Sequence, residues 1–153
     1  MKIREVMRTK VVTITPETTY EEAARLMHKH KFSGLPVVDN AGNLAGMLSE
    51  KDLFRAIYPD YGNYMAESEI HHDLEASEDK IQEVRTQPVE KFMTRKVITI
   101  RPDSPVLAAG GLMLAKHIHR LPVVDNDKVV GIVSREDIYR AILKKRLKLR
   151  RWL

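Results

Sequence analysis

No cysteine occurs anywhere in the 153 residues. That excludes disulfides, thiolate zinc sites, iron–sulfur clusters and a cysteine nucleophile, and it fits a reducing compartment. No apolar run approaches the roughly eighteen residues a membrane span needs. The N-terminal stretch MKIREVMRTK has no apolar signal core, so a cytoplasmic location is expected. Aromatics are only 6% of residues, which gives little support to sequence-specific reading of nucleic acid. The sequence also lacks the G-x-x-x-x-G-K-[ST], G-x-S-x-G, H-E-x-x-H and G-x-G-x-x-G patterns. No catalytic residues are therefore expected, and no enzyme activity. His28/His30 and His117/His119 are spaced i, i+2, whereas a helical metal face wants i+3 or i+4. No metal site is expected.

Hydrophobic residues make up 43% and charged residues 31%, too apolar for a disordered chain. A chain of this length buries about 68–70% of its unfolded surface and folds without staples. The net charge is +5, but six cations crowd the tail: Lys144, Lys145, Arg146, Lys148, Arg150 and Arg151. Without them the remainder stands at −1, so the body is nearly neutral. The stretch from Asp60 to Glu90 is acidic, with nine Asp and Glu against Lys80 and Arg85.

The chain contains an internal repeat. The stretch Val6–Ile57 returns as Phe92–Ile142 with one deletion after Asn126. Shared landmarks keep their order: Met-x-x-Lys-Val, Thr-Ile-x-Pro, Leu-Met, Leu-Pro-Val-Val-Asp-Asn, Gly-x-x-Ser-x-x-Asp and Arg-Ala-Ile. Each copy predicts the order β-α-β-β-α, an α/β (α+β) unit with a small sheet and helices on one face. Val11–Ile14 and Val97–Ile100 are β-branched and read as strands. Thr18 with Glu21 forms a capping-box pattern, and Ser104 precedes Pro105 as a cap before a first-turn proline. Tyr20, Ala23, Ala24 and Met27 share one helical face, repeated by Val106, Ala109, Gly110 and Met113. Strands Leu35–Asp39 and Leu121–Asp125 turn through Asn40–Asn43 and Asn126–Lys128 into Leu44–Leu48 and Val129–Val133. A second helix starts after Ser49 and after Ser134. One unit of about fifty residues is small for independent stability, so the copies are expected to pack by pseudo-twofold symmetry. A further helix is expected over about 68–85, with Tyr58, Tyr61, Tyr64 and Met65 packing on the body. Short helices are expected at Ile3–Met7 and Val89–Met93.

Ser49 and Ser134, each three residues before Asp52 and Asp137, carry two readings. As Ser-x-x-Asp at a helix start, they are a cap and a carboxylate that suits the helix dipole. As chemistry, the serine adds a donor where free backbone N–H groups favour an anion, and the aspartate can accept both hydroxyls of a ribose. Leu35–Pro36 and Leu121–Pro122 offer apolar backbone to flank an adenine ring. Arg120 suits a forked phosphate contact, His119 adds a hydrogen bond and Arg135 is a further cation. The first copy has Ser33 and Gly34 in place of His119 and Arg120, with Lys51 nearby.

The paired Leu-Pro-Val-Val-Asp and Gly-x-x-Ser-x-x-Asp motifs, duplicated in order, resemble the CBS domain family, named after cystathionine β-synthase. The likeness covers nearly the whole chain apart from the acidic segment and the basic tail. It implies a stand-alone tandem module that binds AMP, ADP, ATP or another adenosyl ligand in clefts between the copies. Such a module regulates rather than catalyses, uses the nucleotide as its ligand with no separate cofactor, and forms a homodimer. The resemblance adds the Thr-Ile pairs Thr13–Ile14 and Thr99–Ile100 to the candidate ligand residues. A His-Arg pair at 119–120 is similar to the phosphate-contacting pair of AMP-activated kinase γ subunits. The expected divisions are repeat 1 at 1–58, an acidic insert at 59–87, repeat 2 at 88–143 and a basic tail at 144–153 that extends the last helix. An alternative function is an interaction or scaffold module whose tail docks a protein, a nucleic acid or an anionic membrane.

Overall fold

The computed structural model describes residues 1–58 and 74–149, and the side chains of the second stretch from 79 onward. In chain order the elements are α1 (Tyr20–His30), β1 (Gly34–Val38), β2 (Leu44–Ser49), α2 (Glu50–Ala56), α3 (Leu74–Val84), α4 (Val106–Lys116), β3 (Arg120–Asp125), β4 (Lys128–Ser134) and α5 (Arg135–Leu147). Single 3₁₀ turns at Ile3–Glu5 and Val89–Lys91 precede the repeats. The strands form two antiparallel hairpins, β1 with β2 and β3 with β4.

The anticipated first strand of each repeat shrinks to one residue. Ile14 bridges Val37 and Ile100 bridges Val123, both in parallel. Ile14 donates to the Pro36 carbonyl and accepts from the Val38 N–H; Ile100 does the same with Pro122 and Val124. Pro16 and Pro102 follow two residues later, and without an N–H they cannot carry the ladder on. The α1 cap also sits one residue beyond the expected pair. Thr19 accepts from the Glu22 N–H at 3.2 Å and Glu22 accepts from the Thr19 N–H at 3.1 Å. The Thr18 hydroxyl instead accepts from the Thr15 N–H. α4 starts at Val106, with Pro105 at the cap position and no side-chain cap. The expected helix over 68–85 is seen as α3; Ser68 to Asp73 and the packing of Tyr61, Tyr64 and Met65 lie outside the described residues. Tyr58 packs its ring edge-on to Phe54.

The chain divides into two compact units, and neither unit is one repeat. One comprises Met1–Val12, Gly42–Leu44 and Ile98–Leu153; the other comprises Thr13–Ala41 and Ala45–Val97. The segment leading into each repeat belongs to the unit of the other repeat. In the second-repeat unit, Ile3 is fully buried in a core with Val106, Ala109, Met113, Leu121, Val123, Val133 and Ile138. Its N–H donates to the Ser104 carbonyl, and Arg8 exchanges both backbone hydrogen bonds with Ile132. The first-repeat unit repeats this arrangement with the other lead-in. Val89 is fully buried, its N–H donates to the Thr18 carbonyl, and Thr94 exchanges both bonds with Met47. Phe92 meets Tyr20 edge to face.

The glycine of each Gly-x-x-Ser-x-x-Asp motif permits this docking. A Cβ at Gly131 would stand 2.7 Å from Met7 Sδ and 3.0 Å from the Arg8 carbonyl oxygen. At Gly46 it would stand 2.7 Å from Met93 Sδ and 2.9 Å from the Thr94 carbonyl oxygen. Real Cβ contacts do not come so close, so the strand gives up its side chain to let the lead-in backbone approach.

Candidate functional site

Each unit presents the same helix start. In the second-repeat unit, Ser134 has extended backbone and its hydroxyl accepts from the Asp137 N–H at 3.1 Å. Asp137 replies through Oδ2, which accepts from the Ser134 N–H at 3.0 Å and from the Ser134 hydroxyl at 2.7 Å. In the first-repeat unit, the Ser49 hydroxyl accepts from the Asp52 N–H at 3.1 Å, and Asp52 Oδ2 accepts from the Ser49 N–H and hydroxyl, both at 2.9 Å. The capping reading of Ser-x-x-Asp therefore holds in both copies. It uses one carboxylate oxygen and leaves the other facing a different neighbour.

That neighbour comes from the lead-in. Asp137 Oδ1 accepts from Arg8 Nε at 3.1 Å and Arg8 Nη2 at 3.0 Å, so one oxygen takes both arms of the guanidinium. Arg8 is otherwise exposed, whereas the Asp137 side chain is only 13% exposed. Asp52 is buried, and its Oδ1 accepts a long bond from the Thr94 hydroxyl at 3.4 Å, with Arg55 Nη1 at 3.8 Å. Burial pushes the Asp137 carboxyl upward, but the Ser134 donors and the Arg8 guanidinium outweigh it and hold the group below its ordinary value. Arg8 and Thr94 occupy the same position of the repeat, and neither was a candidate from sequence.

The sequence candidates gather by repeat. Arg120 faces Ser134 across the β3–β4 pair. The Arg135 N–H donates to the His119 carbonyl at 3.0 Å, and the Arg135 guanidinium lies against the His119 ring. In the other unit, Glu50 donates its N–H to the Ser33 carbonyl at the matching place. Lys51, Thr13 and Thr99 are exposed and Ile100 is half-buried. Ile14 and Gly34 are buried, and Leu35, Pro36, Leu121 and Pro122 are almost completely so. The side chains of these last four are core, and the Pro36 and Pro122 carbonyls are already engaged by Ile14 and Ile100.

A separate groove of about 680 Å³ runs between α1 and α3, with Tyr20, Arg25, His28, Ile81 and Arg85 on its walls. Glu21 lies there between Arg25 and Arg85, and their hydrogen bonds hold its carboxyl below the usual range. It contains none of the candidate ligand residues. Among the described residues no group of three His, Asp or Glu is placed to hold a metal, and no helix is long and apolar enough to cross a membrane.

The family model of the CBS domain matches residues 3–59 and again 89–144. The chain belongs to the CBS domain family. An uncharacterized Methanocaldococcus jannaschii protein, MJ1426, is 33% identical over 158 aligned positions, spanning 94% of this chain and 92% of its own. Among solved structures, the CBS domain pair of protein MJ0100, in complex with 5′-methylthioadenosine and S-adenosylmethionine, is 28% identical with a TM-score of 0.73. That likeness covers 95% of this chain and 98% of the other. CBSX2 from Arabidopsis thaliana, solved in complex with AMP, is 26% identical with a TM-score of 0.73, covering 94% of this chain and 97% of its own. The CBS pattern accounts for both repeats and for the Ser-x-x-Asp helix starts.

Proposed function

We propose that this CBS pair is a cytoplasmic regulatory module that senses an adenine nucleotide or a related adenosyl ligand, and that it performs no catalysis. One observation carries the reading. In both units the cap occupies only Oδ2 of the aspartate, and Oδ1 meets a side chain that a ribose diol can replace. The Thr94 contact is a long hydrogen bond, and the Arg8 side chain, though bonded to Asp137, is mostly exposed. The adenosyl ligands of the MJ0100 pair and of CBSX2 support the same reading. The backbone at Leu35–Pro36 and Leu121–Pro122 would flank the adenine, while Ser134, His119 and Arg120 would address phosphate. Binding couples to regulation through any difference in affinity between two states of the module. Calorimetric titration of the full chain with AMP, ADP, ATP and S-adenosylmethionine is expected to show saturable binding. Absence of heat and of thermal shift with all four would reject the proposal.

The module also pairs with a second copy in this reading. Leu107 and Leu114, one heptad apart on α4, are 71% and 65% exposed, and Tyr139 on α5 is 59% exposed. Light scattering on the purified chain tests this, with a monomeric mass against it. A second function rests on the end of α5, where Lys144, Lys145 and Arg146 fill the last turn beside an exposed Leu147. Docking of a protein, nucleic acid or anionic membrane there is separable. Deleting 144–153 would abolish partner capture and leave nucleotide binding intact.

A further inference from the structure

Matching positions of the two units differ in charge around an otherwise identical carboxylate. Arg8, Arg120 and Arg135 in the second-repeat unit stand where Thr94, Gly34 and Glu50 stand in the first. Lys51 against Glu136, and Arg95 against Thr9, run the other way. Arg8 is the member in direct contact, with two hydrogen bonds to Asp137 Oδ1 at 3.1 and 3.0 Å. Its counterpart Thr94 makes one neutral-donor contact with Asp52 at 3.4 Å.

From this asymmetry we infer that the two units select adenosyl ligands of different charge. The second-repeat unit takes phosphorylated ones and the first-repeat unit takes uncharged or cationic ones. The inference rests on the sensing function proposed above. A ribose diol that reaches Asp137 Oδ1 must displace the Arg8 guanidinium. The displaced cation loses two charge-assisted bonds, and only an anion on the incoming ligand replaces them. A phosphate does so, with Arg120 and Arg135 adding to the field. Adenosine or a sulfonium ligand does not, so Arg8 competes against them. At Asp52 the ligand displaces a neutral hydroxyl. Arg55 Nη1 stands 3.8 Å from the same oxygen, beyond hydrogen-bond reach, so the diol breaks no charge-assisted bond there, and an anion finds Glu50 in place of Arg135. Arg8 thus acts as a specificity-determining residue, delivered to the site by the lead-in of the other repeat.

The experiment is calorimetric titration of the full chain with AMP and with adenosine, for wild type, Arg8→Thr, Arg8→Lys and Thr94→Arg. Melting midpoints confirm that each variant folds. Arg8→Thr is expected to weaken AMP binding about tenfold while leaving adenosine unchanged or tighter, the loss of one charge-assisted contact. Arg8→Lys retains part of the AMP preference, and Thr94→Arg adds a second equivalent of tight AMP. Parallel losses of AMP and adenosine in Arg8→Thr, or an unchanged AMP preference, would overturn the inference and leave adenosyl sensing standing. Failure of the wild type to bind any adenosyl ligand would overturn both.

Discussion

The two units share a cap and differ in what the cap leaves over. Ser49–Asp52 and Ser134–Asp137 have the same hydrogen bonds within 0.2 Å. Yet the lead-in gives one aspartate two hydrogen bonds from a guanidinium and the other a single long bond from a hydroxyl. The comparison separates two roles that a motif read alone runs together. Oδ2 belongs to the fold, since it closes the first turn of a helix. Oδ1 is left over by the cap, and it meets a lead-in segment over forty residues distant in one unit and over a hundred in the other. The fold role is the same in both copies, and the lead-in is one place where they differ.

The largest effects should come from breaking the exchange of lead-ins. Ile3 is fully buried in the second-repeat core, so Ile3→Ala is expected to cost about 3 kcal/mol in urea unfolding, although it lies next to the N-terminus. Val89→Ala, its counterpart in the other unit, should cost roughly 2 kcal/mol. A near-zero effect of Ile3→Ala would mean that the N-terminal segment is not docked. Next in size is Gly131→Ala, whose added methyl meets Met7 Sδ and the Arg8 carbonyl. It should cost about 2 kcal/mol as overpacking, and it should weaken AMP binding by displacing Arg8. Gly46→Ala should cost a similar amount while leaving the Arg8–Asp137 pair intact. Equal losses of AMP affinity in the two glycine variants would contradict the division of roles between the units.

Local signals made much of the fold legible. The repeat fixed equivalent hairpins, and the helical faces were right at Tyr20, Ala23 and Met27 and at Val106, Ala109 and Met113, all buried. Misplacements arose where sequence offered two equal solutions. Thr18 with Glu21 and Thr19 with Glu22 both satisfy a capping box, and Thr18 was diverted by the Thr15 N–H. The first strands were overestimated because β-branching says nothing about how many partners are in reach, and the prolines end the ladder. Ser134, Asp137, His119, Arg120 and Arg135 could be named from the motif. Arg8 could not. Read along the chain it precedes the first repeat, and only the fold delivers it to the second.

Smaller effects test the shared cap. Ser49→Ala and Ser134→Ala each remove an acceptor for the Asp N–H and a donor to the carboxylate. Each should cost about 1 kcal/mol, the usual loss for a helix N-cap. The geometry being the same, the two costs should agree within about half that value. A Ser134 cost well above that of Ser49 would show that Arg8 and the cap act as one network rather than as separate contacts.

The smallest expected effect is the pH dependence that Arg8 adds. Asp137 is held below its ordinary value of 3.8 in the folded chain. A depressed carboxyl stabilises the fold at pH above the unfolded value, and that stability is lost as pH falls through the folded one. Arg8→Thr removes the ion pair but leaves the Ser134 donors, so the folded value should rise only part of the way back. Because Arg8 is largely exposed, the pair should contribute less than about 1 kcal/mol at pH 7. The stability gap between wild type and Arg8→Thr should therefore be small at neutral pH and close on acidification as Asp137 becomes protonated in both. Carboxyl NMR titration of Asp137 together with urea unfolding at both ends of the range measures the two quantities. A gap that stays constant into acid would mean that Arg8 stabilises through its alkyl packing, not through its charge.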